Sequence, residues 1–260
     1  MNGQNYRSKH AVQAQNVFRH LVRNAKRIGM VVNASKTAMI CASGATDYEA
    51  ELFILDSNGE RIGCGAELKA LGLRFSANLD MEAHVSWIIK TIRSRYWTLR
   101  NLKLNGFSTE ELIQVYKTML RPVAEYACVV FHSSLTDDQD ERLERLQNHA
   151  LKAIFGPGIS ARRMRGLADL DTLRKRREEI TEKFAKKCLS NPRFAHWFPV
   201  IEGRTSLRHC KHREVFLEEK ARCERLRNSP LFYFRRILNG KVGKTYGTRN
   251  KQYREEVVEA

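Results

Sequence analysis

The sequence predicts an α+β chain. A small β-rich N-terminal piece (1–80) is expected to lead into a mainly α-helical bundle (81–195) and a basic C-terminal extension (196–260), partly helical or disordered. Three observations carry this. Before residue 80, short apolar runs are cut by turn residues, and after it apolar residues return at helical spacing. Charge is uneven: residues 1–160 hold 20 basic and 16 acidic side chains, whereas residues 161–260 hold 26 and 13.

Residues 12–28 place Val12, Val17, Phe18, Leu21, Val22, Ala25 and Ile28 on one helical stripe, and Gly29 is the natural stop. Short strands are expected next. MVV and TAMICA flank an Asn-Ala-Ser-Lys turn, and ELFIL-DSNG-ERIGCG reads as a hairpin turning at Asn58-Gly59. AELKALGLRFS reads as a further strand interrupted at Leu71-Gly72. Val85, Ile88, Ile89, Ile92, Tyr96, Leu99 and Leu102 then keep helical spacing. Ser108 and Glu111 form a capping box opening a second helix of the bundle, with a kink or stop around Pro122. Thr136 to Gln139 opens a third helix. Its core stripe is Leu143, Leu146, Ala150, Leu151 and Ile154, and Gly156-Pro157-Gly158 closes it. A fourth runs from about Ala168 to Asn191-Pro192, and some helix is expected around 213–239.

Apolar residues make up 42% and charged residues 29%, a globular composition, but 46 Lys+Arg against 29 Asp+Glu give a net charge of +17. An excess of that size needs a polyanion, and nucleic acid is the commonest. Six widely spaced cysteines without any CxxC, a polar N-terminus and no apolar run of about 20 residues point to reduced thiols. The expected setting is cytoplasmic or nuclear, neither secreted nor membrane-bound.

Enzyme signatures are sparse. There is no GxGxxG, no P-loop and no HExxH. Asp137-Asp138 sits where a helix begins and reads as charge complementing the helix dipole. Arg208-His209-Cys210-Lys211-His212, with Cys223 beyond, carries zinc-capable donors at a spacing unlike the usual paired ligands, so it reads as basic surface. No metal site and no self-contained active site are expected.

The order of segments is more informative. A helix ending at Gly29-Met30 precedes Asn33, Lys36 and Thr37, and Leu71-Gly72 follows. Then come Tyr116, Arg121, Pro122, Glu125, Tyr126 and Ala127; Leu143, Glu144, Gln147, Ala150 and Ile154; and Leu173, Arg176, Arg177 and Phe184. Over residues 12–200 this resembles the C-terminal part of the reverse transcriptases of non-long-terminal-repeat retrotransposons, the LINE or jockey-like class. The resemblance implies a palm end, a primer-grip strand and thumb and connector helices. It places Lys36 beside the triphosphate of an incoming nucleotide and Leu71 and Gly72 in the primer grip. It also implies RNA and RNA–DNA duplex as partners. The family's aspartate hairpin should lie just upstream of Ala11 and does not occur here. No cofactor is therefore expected in this chain: magnesium would belong to that missing motif, and a polypeptide supplying the palm is a candidate partner.

A thumb holds template and primer by their backbones, which needs basic side chains on helices. The candidates are Arg93, Arg95, Arg100 and Lys103 on the first bundle helix, then Arg162, Arg163 and Arg165. Arg174, Lys175, Arg176 and Arg177 form the densest run. Four consecutive positions face nearly all round a helix, so two of them must meet the core or its edge. The expected function is a nucleic-acid-gripping fragment of an RNA-directed DNA polymerase, inactive by itself. The alternative is a domesticated, non-enzymatic nucleic-acid-binding or scaffold protein.

Overall fold

Gly29 closes the first helix, α1 (Gly3–Arg27), as the sequence requires. It takes φ +76°, its N–H meets the Lys26 carbonyl at 3.1 Å, and the Met30 N–H meets the Ala25 carbonyl at 2.9 Å. A left-handed residue there satisfies the last carbonyls, and glycine adopts it without a Cβ clash. In this computed structural model, residues 3–41, 53–199, 216–217 and 221–240 are described. They form two units, 1–87 and 88–260. The division falls inside a long helix, seven residues beyond the expected boundary at 80.

In the first unit, the apolar stripe of α1 is thinly covered. Phe18 is buried and Val22 and Ala25 are half-buried, but Val12, Val17, Leu21 and Ile28 are exposed. The helix forms as expected, and size explains why its stripe is so little covered. The neighbouring strand β1 (Phe53–Leu55) is three residues long and cannot cover a helix of 25. The two are joined by Gln15, which imitates a strand partner. Its amide nitrogen donates to the Leu55 carbonyl at 3.0 Å, and the Leu55 N–H donates to Oε1 at 2.6 Å.

Strand β1 pairs antiparallel with β2 (Arg61–Gly63) through the expected turn, where the Asp56 carboxylate accepts from the N–H groups of Asn58 and Glu60, both at 2.8 Å. The strands expected at MVV and TAMICA do not form among the described residues. Val31 is exposed, Ala34–Lys36 is a 3-10 turn, and Met39 makes one isolated parallel bridge to Cys64. Leu71-Gly72 is no interruption of a strand either. It is the two-residue turn of a hairpin between β3 (Glu67–Ala70) and β4 (Leu73–Ser76), with φ +48° and +85°. Positive φ at both central residues matches the right-handed strand twist.

The second unit is helical. Helix α2 (Glu82–Leu104), which begins in the first unit, buries Ile88, Ile92, Tyr96 and Leu99 at the expected spacing. Helix α3 (Thr109–Val115) opens on the Ser108–Glu111 capping box. A π turn, Tyr116–Leu120, leads into α4 (Arg121–Glu125), with Pro122 in its first turn. Proline has no N–H to close the preceding turn, and the backbone widens there. Ala127 at φ +54° then redirects the chain into α5 (Cys128–Phe131), so the kink expected at Pro122 is spread over several residues.

Helix α6 (Asp137–Phe155) carries the Thr136–Gln139 capping box and buries its whole predicted stripe. Helix α7 (Ala161–Leu167) packs on α6. Helix α8 (Leu173–Leu189) turns Leu173, Arg177, Thr181, Ala185 and Cys188 inward. In the C-terminal segment, α9 (Glu224–Arg227) and α10 (Pro230–Leu238) belong to the same unit. Tyr233 and Phe234 pack with Phe198, Phe216, Ala185 and Cys188, and Asn239 brackets the Phe216 backbone with hydrogen bonds of 3.0 and 2.9 Å. The described part of the expected extension thus completes the bundle core. The Arg208–His212 cluster lies outside the described residues.

Candidate nucleic-acid interface

Helices α2 and α6 run side by side in the same direction. The Tyr96 hydroxyl donates to the Leu146 carbonyl at 2.9 Å, and seven residues on, Lys103 Nζ donates to the carbonyls of Ala153 and Ile154 at 3.1 and 2.7 Å. The equal step on both helices fixes their register. Between them lies a groove of about 560 Å³, lined by Ile89, Arg93 and Tyr96 from one side and Arg142, Arg145 and His149 from the other. Its floor is apolar and its walls are cationic. The His149 ring packs on Tyr96 at 4.9 Å. Burial pushes the Tyr96 hydroxyl well above its usual pKa, so it stays a proton donor.

The groove cations differ in commitment. Arg142 and Arg145 each pair one helical turn back, with Asp138 at 3.5 Å and Glu141 at 2.8 Å. Exposed pairs of this kind are weak, because solvent and salt screen them, and a phosphate can displace them. Arg93 is exposed with no ion pair among the described residues, as is Arg100 two turns further along α2. Lys152 extends the α6 wall by one turn.

The remaining candidates divide by what already holds them. Arg95 donates to the Met119 carbonyl in the π turn, and Lys103 neutralises the C-terminal carbonyls of α6. Both charges serve the fold. Arg165 donates to Asn148 Oδ1 at 3.1 Å, joining α7 to α6, while Arg162 and Arg163 are exposed.

The 174–177 run is a network of ion pairs. Arg177 is fully buried and donates through Nη2 to Asp140 Oδ1. Arg174 lies 3.4 Å from Asp140 and 3.5 Å from Glu178, Lys175 is 2.8 Å from Asp171, and Arg176 is 3.2 Å from Glu125. Beside them Glu144 accepts from the Arg174 N–H at 2.7 Å at the start of α8, and burial raises its carboxyl pKa. The run therefore ties α8 to α6 and α4, and Arg177 offers no surface to a ligand.

In the first unit, Lys36 ends its 3-10 turn with an exposed side chain, and Leu71, exposed, and Gly72, half-buried, form the tip of the β3–β4 hairpin. Asp137 and Asp138 occupy the first turn of α6, where their charge complements the dipole. Among the described residues no group of three or more His, Cys, Asp or Glu side chains could hold a metal ion, and no helix is long and apolar enough to cross a membrane.

Arg142, Arg145, His149 and Lys152 escaped the sequence reading. Their spacing was visible as the solvent edge of the α6 stripe, but nothing local showed that α2 lies beside it. Compared with models of protein families, with curated proteins and with solved structures, the chain matches none.

Proposed function

We propose that this chain is the palm end and thumb of a non-long-terminal-repeat retrotransposon reverse transcriptase, and that it grips template–primer nucleic acid by its phosphates. The observation that carries the reading is the groove between α2 and α6, with Arg93, Arg142 and Arg145 on its walls and Arg100 and Lys152 beyond them. Cations in two rows on parallel helices suit a backbone that passes between them, and such contacts position a ligand without reading sequence. The order of segments quoted above supplies the family. The proposal is confined to binding, because polymerisation in that family rests on aspartates that the chain does not include.

Fluorescence anisotropy on a short RNA–DNA hybrid at several salt concentrations tests this. With about four to six phosphate contacts, log affinity should fall against log salt with a slope of roughly −3 to −5. Changing Arg93 and Arg145 together to Gln should flatten the slope by about two units. The same change at Lys186 and Lys187 on the far part of α8 should not. Equal slopes for the two variants would remove the groove from the binding site.

A further inference from the structure

Trp97 stands apart from the other two tryptophans. Trp87 stacks on His84 at 5.7 Å, and Trp197 packs on Phe194 at 4.5 Å. Trp97 has no ring contact among the described residues and is 68% exposed, on a helix whose aliphatic positions from Ile88 to Leu99 are buried or half-buried. It sits one turn beyond Arg93 and three residues before Arg100, both exposed. At 100° per residue it is rotated roughly 40° from Arg93 toward solvent, which places it on the rim of the groove.

We infer that Trp97 is a stacking platform for an unpaired base, so that the α2/α6 face takes single-stranded nucleic acid, or a duplex with a frayed or overhanging end, in preference to a blunt duplex. This rests on the nucleic-acid reading above. Charge complementarity selects the occupant. An indole face accepts any base, and guanidinium groups on either side can hold the phosphates that flank that nucleotide. Arg93 and Arg100 span about 10.5 Å of helix rise, with the ring between them. In an intact duplex the bases face each other and are stacked within the helix, leaving the indole only backbone or a terminal pair to meet.

The test uses the full chain and two probes, an oligouridine of about twelve nucleotides and a blunt RNA–DNA hybrid of the same length. The oligouridine should quench part of the tryptophan emission, and Trp97→Phe should lose that part while keeping most of the affinity. Trp97→Ala should weaken oligouridine binding by about 5- to 100-fold and blunt-hybrid binding by less than about two-fold. Because Trp97 is exposed, an unchanged urea midpoint is expected for both variants and separates a binding defect from a folding one. If the wild type binds both probes with a steep salt dependence and Trp97→Ala weakens them equally or not at all, the stacking inference is overturned and the phosphate grip stands. If the wild type binds neither probe, both fall.

Discussion

Replacing Arg177 with Ala tests whether the densest cationic run in the chain belongs to the core. Its guanidinium is fully buried, donating through Nη2 to Asp140, while its Nε and Nη1 have no hydrogen-bond partner among the described residues. Removing it leaves Asp140 almost buried beside Arg174 alone at 3.4 Å, and leaves Glu144 without its nearby cation. Breaking a buried pair in this way costs about 3–5 kcal/mol, because an uncompensated charge remains and a large side chain is lost. Urea unfolding followed by tryptophan emission reads this directly. A double change, Arg177→Met with Asp140→Leu, should recover most of the loss, since apolar side chains of similar volume avoid the desolvation of both ions. A loss below about 0.5 kcal/mol for Arg177→Ala would refute the reasoning and return Arg177 to the surface.

Two further outcomes follow from the bundle. Leu143 is fully buried on the α6 stripe, so Leu143→Ala should cost about 2–5 kcal/mol in the same unfolding assay, and under about 0.5 kcal/mol would say the stripe faces water. His132 is held neutral, its pKa lowered from 6.5 to about 3 by burial and then by Arg177 and Arg174, with the Tyr233 hydroxyl 3.2 Å and Glu178 4.0 Å from Nε2. The unfolded imidazole accepts a proton that the folded one refuses. Stability is therefore complete above pH 6.5 and falls as pH drops toward 3, by at most about 1.4 kcal/mol per pH unit. His132→Asn should flatten that slope between about pH 7 and 5, and an unchanged slope would exclude His132 as its source.

Local patterns were legible where one segment decides its own structure. The two capping boxes, the Asn58-Gly59 turn and the α6 stripe need only neighbours in sequence, and each formed. Features that depend on what lies alongside were not. The apolar face of α1 has the same periodicity as that of α6, yet among the described residues only α6 has helices to cover it. Leu71-Gly72 could be read as a break in one strand because its two flanks are equally apolar, and pairing across the turn makes it a hairpin. The groove required knowing that α2 and α6 lie parallel, which no spacing within either helix reveals.

Counting cations gives a misleading map for the same reason. A basic side chain is available to a polyanion only if the fold has not already committed it to a buried or structural acceptor; an exposed pair one helical turn away can be displaced. Arg95 answers a carbonyl at the π turn, Lys103 a helix end, and Arg177 a buried carboxylate, all within the second unit. Each of these acceptors comes from a segment at least 24 residues away in sequence, so a run of Arg and Lys cannot show whether it is committed. The α8 run has acidic partners on α4, on α6 and on its own helix. Along α2, by contrast, Arg93 and Arg100 project from the side away from the core and meet no carboxylate among the described residues. Two isolated arginines therefore make a stronger case for phosphate contact than four consecutive cations do. The placement of carboxylates, more than the density of charge, decides where a nucleic acid would bind.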